Sequence, residues 1–181
     1  MFKSIGLALT TDLIHKRIRL ELLQYAMLNL ALFFVPFLLG HPQLLVGSLV
    51  NAMLIYIAVN FKGYRLVPAI FLPALAVLSQ GLIFGSLTKY LAILVPFIWA
   101  GNFILIISVR FFLLRKRSQL ISFAFSSFLK ALFLFAVTAL FVLLFDFPRI
   151  FLLAMGPVQL LTALAGSGIN LVVTLVQNKL K

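Results

Sequence analysis

The sequence predicts an all-α integral membrane protein, a compact bundle of six transmembrane helices. Of its 181 residues 64% are apolar and only 10% are charged, and the mean hydropathy is +1.22. Soluble domains average about 45–50% apolar and about 25% charged residues. Because a helical span takes about 20 residues, the length allows roughly six spans and leaves no room for a soluble domain. We therefore expect a single membrane domain over residues 1–181.

Turn-forming residues divide the apolar sequence into its predicted elements. Within residues 1–20 the apolar Leu9, Leu13 and Ile14 recur near helical spacing with charged residues around them, and we expect this segment to lie on the membrane surface as an amphipathic segment. Clusters such as Gly40-His41-Pro42 and Asp146-Phe147-Pro148-Arg149 are typical of chain breaks. The predicted spans are about 22–39, 44–61, 66–85, 90–109, 124–145 and 150–176. The last is long enough to tilt, or to break at Gly156-Pro157 or within 166–168.

The distribution of basic residues predicts the orientation. The chain carries a net charge of +12, and alternate connections place twelve Lys and Arg residues on one side against Lys89 and Arg149 on the other. By the positive-inside rule both termini are cytoplasmic, in a multi-pass protein of the cell membrane. We expect the basic side to meet anionic lipid, and we do not expect nucleic acid as a partner.

Several classes of chemistry lack their residues in this sequence. There is no cysteine, no GxxxxGK[ST] nucleotide motif and no GxSxG motif, and His15 and His41 fall on opposite sides. No carboxylate lies inside a predicted span, whereas ion-coupled transport normally uses one. We therefore expect no enzyme, no cofactor and no metal site, but a protein that binds.

Polar residues inside the spans are the candidate ligand-binding residues, because an amide in hydrocarbon must find a partner. Counted by helical rise, they lie roughly 10–18 Å below the outer surface on four helices. The candidates are Asn51, Gln80, Trp99, Asn102 and Gln159. They could pair between helices as packing contacts, or line a pocket that opens to the outside.

Charged residues near the spans are candidates for other contacts. If the fifth span begins near Ser126, Lys130 lies one turn inside and its ammonium reaches the cytoplasmic interface. Alternatively, Lys130 is the counter-charge of an anionic ligand or a contact to a partner protein. We expect Arg115, Lys116 and Arg117 to meet acidic lipid or the acidic groups of a partner at the cytoplasmic surface. Ala163 and Ser167 are small residues spaced by four, and Gly166 and Gly168 extend the same strip. This strip predicts close helix packing within the bundle or, as the alternative, docking to another membrane subunit.

Four stretches resemble the small substrate-binding (S) components of energy-coupling-factor transporters. They are Gly47-Ser48-Leu49-Val50-Asn51-Ala52, which is similar to a GxLVNA stretch, Leu72-Pro73-Ala74-Leu75-Ala76 through Gly81, Val95-Pro96-Phe97-Ile98 with Gly101-Asn102, and Gly156-Pro157-Val158-Gln159-Leu160. The resemblance covers roughly residues 47–168. Many members also carry an AxxxA pair on the first helix, whereas Ala26 and Ala31 here are five residues apart.

The resemblance implies a six-helix subunit that captures a vitamin or other micronutrient from outside. Such a subunit associates with a transmembrane coupling protein and two cytoplasmic ATPases, and topples in the membrane to release its ligand inward. Two other functions remain open: a structural or assembly subunit without a ligand, and a small membrane facilitator.

Overall fold

The described part of the chain contains six apolar helical segments, as the sequence predicts, and the last of them is divided into two helices. The computed structural model describes the backbone of residues 2–81 and 85–179 and the side chains of 15–81, 85–177 and 179. Six segments of this part are long and apolar enough to span a membrane, and none of its residues forms a β-strand. The α-helices are α1 (Phe2–Leu39), α2 (Gln43–Asn60), α3 (Val67–Gln80), α4 (Thr88–Leu114), α5 (Gln119–Phe145), α6 (Ile150–Met155) and α7 (Pro157–Lys179).

Helix boundaries differ from the predicted spans at two places that affect the interpretation. Helix α3 ends at Gln80, because Gly81 adopts a left-handed conformation (φ 61°) that stops the helix. Helix α5 begins at Gln119, earlier than the predicted residue 124, where the Ser118 hydroxyl accepts a hydrogen bond from the Ile121 N–H (3.4 Å). Residues 1–20 join α1 without a break from Phe2, but the side chains that gave them their amphipathic pattern lie largely outside the described residues.

The last predicted span breaks at Gly156-Pro157 and continues unbroken through residues 166–168. Pro157 cannot donate a backbone hydrogen bond, so α6 ends at Met155, two residues before it, and α7 starts at the proline. A Cβ at Gly156 would lie 2.5 Å from Cδ2 of Phe135, so glycine also lets α5 approach this break.

The connections between helices gather at two ends of the bundle. At one end, which we call the Gly40 end, Gln80 packs against Gly40, and the rings of Tyr90 and Phe147 lie 4.9 Å apart. At the other end, which we call the basic end, Arg65 forms an ion pair with Glu21. Arg110 there donates hydrogen bonds to the Ala58 and Phe61 carbonyls, which lie at the C-terminus of α2.

Two apolar clusters fill the bundle, one toward each end. Leu54, Ile106 and Phe123 belong to the larger cluster, and Leu94 and Leu134 belong to the smaller one near the Gly40 end. Along α4 and α5 the two clusters are separated by buried polar side chains. The polar layer therefore lies within the apolar core and not at a bundle end.

Small residues bring α2 and α7 into close contact. A Cβ at Gly166 would lie 2.6 Å from the Ala52 backbone nitrogen, so no larger residue fits there without moving a helix. On the same helix Ser167 forms a 3.1 Å hydrogen bond with Ser127 of α5. The prediction of close packing within the bundle is confirmed at Gly166 and Ser167, whereas Gly168 has open space beside it.

Candidate functional site

The centre of the polar layer is the ammonium group of Lys130. Its side chain is 3% exposed, and Nζ donates to Asn51 Oδ1 at 2.7 Å and to Asn102 Oδ1 at 2.9 Å. These contacts join α5 to α2 and α4. The prediction that this ammonium reaches the cytoplasmic interface is wrong, because α5 starts at Gln119 and Lys130 lies about three turns inside it.

Both asparagines are held so that their oxygens face Lys130. The Asn51 amide nitrogen donates to the Gly47 carbonyl at 2.9 Å and to Thr162 Oγ1 at 3.2 Å. The Asn102 amide nitrogen donates to the Ile70 carbonyl at 3.0 Å, in the turn of α3 before Pro73. Since these bonds fix the side of each carboxamide that carries the nitrogen, each oxygen is left to accept from the ammonium.

Two glycines permit the close helix approaches on which these contacts depend. A Cβ at Gly101 would lie 3.1–3.2 Å from three carbons of Leu134, so glycine brings α4 close to α5 beside Asn102. Gly166 does the same for α7 and α2 beside Asn51. The polar cluster is therefore positioned by the backbone packing of four helices.

No carboxylate of the described side chains neutralises Lys130. Glu21 pairs with Arg65 at the basic end, and Asp146 is exposed at the Gly40 end. The partners of Lys130 are instead two neutral amide oxygens. A charge in a membrane interior is costly and usually pairs with a partner or lines a functional cavity.

Lys130 lines a cavity of about 100 Å³ that extends toward the Gly40 end. Its lining includes Gln43 at the start of α2 and Gln159 near the start of α7, as well as both asparagines. The remaining wall is mainly apolar and includes Val46, Val50, Pro73, Ala74, Val77, Leu91, Ile98 and Met155. This space exceeds what one water molecule needs, and an apolar wall with a few convergent polar groups is typical of a small-molecule site.

The structure brings together three of the five predicted ligand-binding residues and leaves two apart. Asn51, Asn102 and Gln159 line the cavity. Trp99 packs edge-on against Phe71 of α3, with ring centroids 4.9 Å apart, and is not among the lining residues. Gln80 lies against Gly40, also outside the lining. Helix α4 turns Ile98 and Asn102 toward the cavity and Trp99 away from it.

Sequence reasoning missed Gln43 and Thr162 and gave Lys130 a peripheral place. A signal existed for Thr162, which lies one turn after Gln159 and donates to its carbonyl (3.1 Å). For Lys130 the signal was its distance from both ends of the apolar run. The predicted start of the fifth span was too late in the sequence, and this concealed the signal. Gln43 lay outside the predicted span and carried no signal.

The basic residues Arg115, Lys116 and Arg117 are exposed after the last turn of α4, at the basic end. The Arg115 guanidinium lies 4.6 Å from the Phe111 ring centre. None of the three lines the cavity. Their position suits contacts outside the bundle, as predicted for lipid or a partner. Along α4, Arg115 lies roughly 20 Å from Asn102 at the inner end of the cavity.

Comparisons with known proteins assign no family to this chain. A scan of protein-family models, a search of curated proteins and a search of solved structures each find no significant match. What the protein does is therefore inferred from the cavity, its polar residues and the resemblance in sequence.

Proposed function

We propose that this protein is the substrate-capture subunit, or S component, of an energy-coupling-factor type uptake transporter. It binds a small micronutrient from outside in the cavity at the Gly40 end and releases it inward. The observation that carries this proposal is the buried cluster of Lys130, Asn51 and Asn102 at the inner part of a cavity in an otherwise apolar bundle. In this proposal the basic end faces the cytoplasm of the cell.

The same residues favour binding without an energy source of the chain's own. The sequence contains no nucleotide-binding motif, and no carboxylate is available inside a predicted span for proton or sodium coupling. A subunit of this kind can hold a solute but must obtain work from elsewhere. The resemblance supplies such partners: a transmembrane coupling protein and two cytoplasmic ATPases, which would meet the basic end.

A purely structural subunit explains the cavity less well. Close packing in this bundle is already provided by Gly101, Gly166 and the Ser127–Ser167 contact. A buried ammonium adds a desolvation cost of several kcal/mol that packing alone does not require. Among the described residues, those that line the cavity include no carboxylate, histidine or serine, so binding fits the cavity better than catalysis.

Purification of the tagged protein from its native membranes in mild detergent tests the proposal in two measurements. Native mass spectrometry should detect a small molecule bound to the protein. Identification of the copurified proteins should yield ATPase subunits with a nucleotide-binding motif together with an integral membrane partner. Vesicles containing this assembly should take up the bound compound only when ATP is supplied to the ATPases.

A variant with Arg115, Lys116 and Arg117 all replaced by Gln provides the control. Because these residues are far from the cavity, the variant should retain the bound molecule while its association with the ATPase-containing assembly weakens. An assembly that contains no ATPase and no bound molecule would indicate a structural subunit. Uptake that continues without ATP would indicate a facilitator.

A further inference from the structure

We infer that the captured solute is a small organic monocarboxylate whose acidic group pairs with Lys130. This inference rests on the proposed capture function and specifies the chemical class of its ligand. Three features of the cavity carry it. Lys130 has an N–H donor that neither asparagine uses, no described carboxylate neutralises its charge, and the polar and apolar residues follow one another in a definite order along the cavity wall.

The number of free donors at Lys130 fits one acidic group. An ammonium has three N–H donors, and two are taken by Asn51 and Asn102. One donor and the positive charge remain for a ligand. The Asn51 amide nitrogen uses both of its N–H donors, on Gly47 and Thr162, whereas the Asn102 amide nitrogen donates one of its two N–H groups to Ile70. A carboxylate can be bound by one charged donor, whereas phosphate groups are usually held by several.

The charge of the site also favours an anion. The described carboxylates of Glu21 and Asp146 lie at the bundle ends, and the buried ammonium contacts neutral oxygens. An anion that enters this water-poor cavity would interact with Lys130 far more strongly than in bulk water. A cation would be repelled, and a neutral solute would leave the ammonium without a counter-charge.

The walls of the cavity define the rest of the solute. Beyond Lys130 they are mainly apolar, and the carboxamides of Gln43 and Gln159 lie nearest the Gly40 end. Along α2 the distance from Gln43 to Asn51 is roughly 12 Å. The solute therefore has a carboxylate at the inner end, an apolar body, and a hydrogen-bonding group at the opposite end.

Matched pairs of acids and primary amides test the charge requirement directly. The probes are benzoate with benzamide, hexanoate with hexanamide, and adipate monoamide with adipamide, titrated into the purified protein in lipid nanodiscs. Calorimetric affinity and the unfolding temperature are measured for each. We expect at least one acid to bind about tenfold or more tightly than its amide, with adipate monoamide the best of the three acids.

Variants locate the requirement at Lys130. Lys130→Gln keeps a donor for the asparagine oxygens but removes the charge, and should abolish the preference for acids. Lys89→Gln removes an exposed charge near the Gly40 end and should keep the preference. The comparison of acid with amide on the unmodified protein needs no variant, so a folding defect in Lys130→Gln would not obscure the answer.

The outcomes separate this inference from the proposed function. Amides that bind as tightly as their acids would overturn the monocarboxylate. A preference for acids that survives in a folded Lys130→Gln protein would overturn the pairing of the acidic group with Lys130. Both results would leave solute capture intact. If no probe of either kind binds and no small molecule copurifies with the native protein, both are overturned.

Discussion

Nζ of Lys130 on α5 lies 2.7 Å from Oδ1 of Asn51 on α2, although 79 residues separate them in sequence. Asn51 is in turn tied to α7 through Thr162, which its amide nitrogen contacts at 3.2 Å. One asparagine thus connects the helix that carries the charge to the helix that packs most closely on α2. The shape of the cavity and the position of its charge are therefore coupled to helix packing.

Removal of either asparagine should destabilise the protein. In Asn51→Ala or Asn102→Ala the buried ammonium loses an acceptor, at a cost of about 1–3 kcal/mol. Asn60→Ala on α2 is the control, because Asn60 is exposed and donates only to the Tyr56 carbonyl of its own helix. Thermal unfolding in detergent should show lower unfolding temperatures for the first two variants and a near-native value for the third. Equal unfolding temperatures in all three would show that the contacts with Lys130 contribute little.

A pair of glycines on α7 tests the packing that positions Asn51. Gly166→Ala would place a methyl group 2.6 Å from the Ala52 nitrogen, so the helices must separate, at a cost of about 1–3 kcal/mol. Gly168→Ala meets nothing within 4 Å and should be neutral or slightly stabilising, since alanine favours helix over glycine. Unfolding temperatures of the two variants, measured side by side, distinguish them. A harmless Gly166→Ala would mean that α2 and α7 are less closely packed than described.

The sequence was sufficient for the features that depend on composition and local chemistry. Apolar runs of about 20 residues predicted six spans, and Gly156-Pro157, where α6 gives way to α7, was one of two places predicted for a break if the last span did not tilt. The buried amides Asn51 and Asn102 were recognisable because a carboxamide in hydrocarbon needs a partner.

The sequence could not predict how each helix is rotated about its own axis in the bundle. Trp99 and Asn102 are three residues apart and share a broad face of α4, but tertiary packing directs the indole to Phe71 and the amide to Lys130. The spacing of residues along a helix cannot show which neighbouring helix each side chain contacts. The role of Lys130 was obscured for a related reason, since apolar composition does not mark where a long helix begins.

Single cysteines in this cysteine-free chain test the orientation. His41→Cys and Lys89→Cys lie at exposed positions near the Gly40 end, and Arg117→Cys lies at the basic end. Arg117 is preferable to Lys116, whose positive φ of 55° disfavours cysteine. In intact cells a membrane-impermeant maleimide should label the first two variants, and should label Arg117→Cys only after the membrane is opened. The reverse pattern would place the Gly40 end in the cytoplasm.

Filling the cavity without changing its charges should block solute binding. Ile98 lines the cavity and lies on the same helix as Ile107, which is 42% exposed on the outer surface of the bundle. Ile98→Phe adds a ring to a space of about 100 Å³, whereas the same change at Ile107 adds it outside the bundle.

We expect Ile98→Phe to weaken binding of the most tightly bound monocarboxylate probe about tenfold or more, and Ile107→Phe to leave its affinity within about twofold. Trp99→Ala should also leave affinity within about twofold, because the indole faces Phe71 and not the cavity. Calorimetric titration of variants with near-native unfolding temperatures provides the measurement. Strong loss of affinity in Trp99→Ala, with native binding in Ile98→Phe, would place the solute between α3 and α4 beside the indole instead of in the cavity at Lys130.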